Sequence, residues 1–187
     1  MTAVQQRDVV DLLRQQHDQI KDLFNQLKSA QGGQKREIFQ DLVRLLAVHE
    51  SAEELVVHPE ARRQAGDRVV EARLHEEDEA KHALAELYEL GVDHPHFNSR
   101  LEPFAQSVIE HAEREEREEF PKLRQQLSEE RLRRMAGAVE AAEKIAPTRP
   151  HPMAGESAMA NLLAGPPLAV FDRTRDAVRD WRESRMR

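Results

Sequence analysis

The sequence of 187 residues contains no cysteine. That excludes disulfides, thiolate zinc sites, iron–sulfur clusters and thiol nucleophiles. Any metal must therefore be held by histidine and carboxylate. A basic excess is missing too: 28 Lys and Arg against 35 Asp and Glu give a net charge of −7. This argues against a nucleic-acid partner. No apolar run reaches membrane-spanning length, which predicts no membrane contact. The opening stretch MTAVQQRDVVDLL lacks the basic and then apolar pattern of a secretory leader, so the expected location is the cytoplasm. Runs that alternate with period two are nearly absent, which leaves little room for strands.

What the sequence does have is helical periodicity. Val10, Leu13, Ile20, Phe24 and Leu27 form one stripe, with His17 inside it, and Gly32 and Gly33 end that helix. A second helix is predicted from Lys35 to His58, with Phe39, Leu42, Leu46 and Val56 on its apolar face and Pro59 and Gly66 closing it. The third is predicted from Asp67 to Leu90, with Gly91 just past its end. A fourth carries Phe104, Val108 and Phe120 and ends near Pro121, and a fifth starts after Ser128. Long amphipathic helices with short connections predict an all-α, up-down-up-down four-helix bundle with extra C-terminal helices. The bundle is expected over residues 1–146. Residues 147–187 read as a proline-rich linker followed by an amphipathic helix carrying Phe171, Val178 and Trp181. That helix is expected to pack on the bundle or on a second copy of it, as in a homo-oligomer.

An internal repeat places the chemistry. HESAEELVVHP (49–59) and HAEREEREEFP (111–121) align at an offset of 62. The offset pairs His49 with His111, Glu53 with Glu115 and Pro59 with Pro121. Residues four apart share a helix face, so each H-x-x-x-E can aim an imidazole and a carboxylate inward. Mixed histidine and carboxylate ligation inside a bundle suits iron or manganese pairs. An offset of 61 relates helix one to helix three and pairs His17 with Asp78, with His82 one turn later. Asp78 is then a ligand, an acceptor for the outer nitrogen of a ligand histidine, or an exposed charge. His75 is a weaker candidate in the same helix. His58 reads as structural or exposed, and the glutamates 113, 116, 118 and 119 as solvated. His94, His96 and His151 receive no role.

With these motifs the chain resembles the hemerythrin-like HHE cation-binding family, in an actinobacterial-type branch. The phrases EEDEAKHALAEL and HAEREEREEFPKLR and the tail through NLLAGP carry the likeness. The resemblance implies an oxo- or hydroxo-bridged pair of iron ions. It assigns His17, His49 and His111 as terminal ligands and Glu53 and Glu115 as bridging carboxylates. Helix three of the family usually supplies histidine, and here Asp78 and His82 stand at those positions. Zinc or manganese would also suit the donor set. The implied function is binding or sensing of O2, NO or peroxide. The alternatives are a peroxide-decomposing or iron-oxidising enzyme, and an interaction protein with an incomplete site.

Overall fold

A computed structural model describes residues 7–145 and, in the tail, Asp172, Arg175 and Asp176. Among the described residues the chain is helical and has no strand. The elements are α1 (Val9–Ser29), α2 (Gly32–Ala52), a π-helical turn (Glu53–Val57), α3 (His58–Ala65), α4 (Asp67–Leu90), α5 (Phe97–Glu118), α6 (Phe120–Gln126) and α7 (Glu129–Ile145). The rods α1, α2–α3, α4 and α5–α6 form the up-down-up-down bundle, and α7 packs on α1 and α2. No described helix is long and apolar enough to cross a membrane.

Local chemistry sets the ends of these rods. Asp8 caps α1 by accepting from the Asp11 amide at 2.9 Å, which satisfies an otherwise orphaned N–H. Arg124 of α6 clasps the same carboxylate at 3.0 and 3.1 Å and so ties the start of the first rod to the end of the fourth. The chain turns at Gly66 (φ 94°) and Gly91 (φ 81°), in backbone that side chains rarely adopt.

The repeat is visible in the backbone. Pro59 and Pro121 each lack the N–H that would bond one turn back. After the first H-x-x-x-E the rod widens into the π turn, closed by His58 N–H to Glu53 O. After the second, Glu119 is a distorted helical residue (φ −105°, ψ −51°) between α5 and α6. The π turn inserts one residue into the register. Val57 is therefore buried where the periodicity predicted Val56, and His58 turns inward, 4% exposed. Helix two consequently continues past Pro59 to Ala65 instead of closing there.

Two apolar cores flank a polar layer. One gathers Phe24, Phe39, Leu84, Leu87, Phe97 and Phe104. The other gathers Leu13, Val57, Val70, Phe120, Leu123 and Val139, with α7 completing it. Burial of such a side chain contributes roughly 1.5–3 kcal/mol, so the rods are held on both sides of the layer between. His17 lies between Leu13 and Ile20, and His49 between Leu46 and Ala52, so both imidazoles project into that layer.

In the tail, Asp172, Arg175 and Asp176 are helical, and Arg175 pairs with Asp172 at 2.9 Å. The Arg175 guanidinium also lies 3.8 Å from Glu54, against the bundle. The expected linker and the apolar side at Phe171, Val178 and Trp181 lie outside the described residues.

Candidate metal centre

The polar layer brings His17 of α1, His49 of α2, Glu53 of the π turn, and His111 and Glu115 of α5 to one buried point. Glu77 of α4 completes it. Two sets of donors form: His17, His49, Glu53 and Glu115, and Glu53, Glu77, His111 and Glu115. Within each set the ligand atoms lie within 4.8 Å of one another. Glu53 and Glu115 belong to both sets, as the carboxylates of a two-ion site would.

Each inward imidazole is held from behind. His17 Nδ1 donates to Glu116 at 2.9 Å, His49 Nδ1 to Gln16 at 2.8 Å and His111 Nδ1 to Glu76 at 2.9 Å. These bonds orient the rings and turn every Nε2 inward. The His17 ring also stacks on Phe120, with centroids 5.7 Å apart. His58 Nε2 donates to Glu77 Oε1 at 2.6 Å and leaves Glu77 Oε2 facing the layer without a hydrogen bond.

The inner atoms have donors' geometry and few partners. Both oxygens of Glu53, Oε2 of Glu115 and Nε2 of His111 are buried and lack hydrogen bonds. Leaving such groups unsatisfied is costly unless something is bound there. The crowding of charge agrees. Burial, followed by the charges of Glu115, Glu77 and Glu119, pushes the Glu53 carboxyl well above its usual range. Burial would raise Glu115 as well, but the imidazoles of His111, His17 and His49 outweigh it and hold that carboxyl low. Burial would lower His111, yet Glu115, Glu76 and Glu77 push it up to about 9. Burial and the neighbouring His17 hold His49 well below the usual imidazole range. Orphaned oxygens, inward lone pairs and surplus carboxylate fit divalent cations.

Around this layer the charges are better matched. Arg73 of α4, 4% exposed, bonds Glu119 at 3.1 Å, Glu118 at 2.8 Å and Glu76 at 2.6 and 2.7 Å. Burial and the Glu115 charge still raise Glu119 to about 7. Lys81 lies 3.4 Å from Glu50 and bonds Glu54 at 2.7 Å.

Helix three requires a correction. Asp78 and His82 face solvent, each with a side chain 68% exposed, and His82 Nδ1 bonds the Asp78 carbonyl. His75 is exposed as well. The reason is register. The inward face of α4 is Val70, Arg73, Glu77, Leu84 and Leu87. An offset of 60 from α1 reproduces it: Val10 to Val70, Leu13 to Arg73, His17 to Glu77, Phe24 to Leu84, Leu27 to Leu87. The pairing at 61 places Tyr88 inside, but Tyr88 is 40% exposed. Glu119, expected in solvent, is buried at 1% exposure against Arg73, and Glu116, also expected in solvent, supports His17. His58, expected to be structural or exposed, is buried against Glu77, and no role was expected for Gln16 or Glu76. Their signal was weak because Glu116 and Glu76 sit in runs of glutamate, and His58 turns inward only because of the π turn.

Comparison with known proteins agrees with this geometry. The profile of the Hemerythrin HHE cation binding domain matches residues 8–123. An uncharacterized hemerythrin-like protein of Schizosaccharomyces pombe is 28% identical over 177 residues, covering 92% of this chain and 87% of that protein. A protein of Nostoc sp. named as a DNA nickase is 29% identical over 140 residues, 74% of this chain but 40% of its own length. No solved structure gives a significant match.

Proposed function

The chain belongs to the hemerythrin HHE cation-binding family, and from that premise we propose that it holds two iron ions and binds or senses O2, NO or peroxide at them. The observation that carries this reading is the sharing of Glu53 and Glu115 between two donor sets. His17 and His49 would hold one ion, His111 and Glu77 the other, and the shared glutamates both. Iron supplies redox chemistry and a coordination position for a small oxygen or nitrogen ligand. The protein's contribution is placement and exclusion of water. Gln16, Glu116 and Glu76 orient the imidazoles, His58 orients Glu77, and the two apolar cores close the layer above and below.

An enzyme, peroxide-decomposing or iron-oxidising, is the second reading, and Glu77 favours it. A carboxylate where the family usually has histidine stabilises the more oxidised metal and so favours turnover over reversible binding. The net charge of −7 and the coverage of 40% of the nickase relative weigh against carrying that protein's named activity over to this chain. Peroxide consumed per iron separates the two readings. Consumption that stops near one equivalent supports binding or sensing, and sustained consumption over many equivalents supports the enzyme. No spectral change with O2, NO or peroxide in an iron-loaded chain contradicts both.

A further inference from the structure

A cavity of about 470 Å³ runs along the seam between α4 and α5, is backed by Ile20 of α1 and Leu46 of α2, and takes in the His17, His49 and His111 side of the polar layer. Its lining on α4 extends from Glu76 to Leu90, roughly 21 Å of helix at 1.5 Å per residue. The seam stays open because small residues stand where a bundle would ordinarily place leucine. Ala80 and Ala83 of α4 line it opposite Pro103 and Ser107 of α5. At one end lie His111, Glu50 and Glu77, with Nε2 of His111 and an Oε2 of each glutamate buried and without hydrogen bonds. At the other lie Leu87, Leu90 and Phe104.

The size is out of proportion to a diatomic ligand. One water occupies about 30 Å³, whereas 470 Å³ falls in the ordinary range for a small organic ligand, roughly 300–1,000 Å³. The cavity is long, its buried lining is apolar at Leu46, Leu87, Phe104 and Val108, the exposed Glu79, Glu86 and Arg100 stand at its rim, and one end meets the candidate metal centre. We propose that it binds an unbranched alkyl molecule with a terminal oxygen donor, the chain lying in the α4–α5 seam and the oxygen end at the histidine–glutamate layer. The seating of the chain depends only on the seam. The placement of the oxygen end rests on the metal reading above.

The test titrates decanoate and butyrate, by calorimetry, into the full chain loaded with zinc, which avoids redox chemistry. The two probes share a head group and differ in the methylenes that the seam would bury. Decanoate should bind at least about tenfold more tightly than butyrate. Ala83→Phe, which fills the seam, should lose that advantage while keeping its zinc and its helical content. Ala80→Leu serves the same purpose should Ala83→Phe fail to fold. Equal binding of the two probes overturns the proposal, and so does undiminished decanoate binding in a folded, seam-filled variant. A chain that takes up no zinc or iron contradicts the metal reading instead. Decanoate against butyrate in that metal-free chain still reads the seam.

Discussion

His17 Nε2 and His49 Nε2 lie 3.2 Å apart, each on a ring whose Nδ1 already donates, to Glu116 and to Gln16. Two lone pairs thus face one another in a buried layer, with Glu53 and Glu115 oxygens each 3.4 Å from one of the nitrogens. A cation that accepts both lone pairs reconciles the arrangement. The supporting bonds should therefore matter. Gln16→Leu keeps the volume but removes the acceptor behind His49. Metal affinity should fall by roughly 10–100-fold, measured by competition with a chelator. Unchanged affinity would mean that the His49 ring needs no such support.

The shared carboxylates give the second prediction. Glu53→Ala and Glu115→Ala should each lose most of the bound metal, because each removes an anion common to both donor sets. Glu113→Ala, on the exposed face of α5, should retain it. Metal content by mass spectrometry of the elements, with equal retention in all three variants, would refute the sharing.

Helix three gives the third. Glu77→Ala should deplete the ion held with His111 and leave the one held by His17 and His49. Asp78→Ala and His82→Ala should keep full metal, since both side chains face solvent. Depletion by either of the latter, with Glu77→Ala unaffected, would restore the register at an offset of 61.

This contrast marks where the sequence was legible. The H-x-x-x-E repeat at an offset of 62 stood out because large apolar residues flank each histidine, Leu46 before His49 and Val108 before His111. The helix ends were legible where proline, glycine or an acidic cap marks them. Helix three was not, because Glu76, Glu77, Asp78 and Glu79 are consecutive acids. Periodicity there rests on the distant Leu84 and Leu87, and a slip of one residue exchanges Glu77 for Asp78. His58 was hidden for a different reason: a π turn adds a residue to the register, and no local propensity announces it.

A fourth prediction concerns stability away from the site. Burial would raise the Asp8 carboxyl, but the Arg124 and Asp11 hydrogen bonds outweigh it and hold it below 3.8. A carboxylate lowered in the folded state stabilises fully above the unfolded value and loses that contribution as pH falls through the folded one. Asp8→Ala should thus cost about 1 kcal/mol near neutral pH, the usual cost of a lost N-cap. In denaturant titrations of the metal-free chain, the gap between variant and wild type should narrow below pH 3.8. A gap that widens in acid would contradict the cap.

The number of irons per chain tests most directly the proposed two-ion site built on shared glutamates. Full chain loaded with ferrous iron without oxygen, desalted and assayed for iron and protein, should carry two irons per chain. A single iron per chain, or none, would contradict the account.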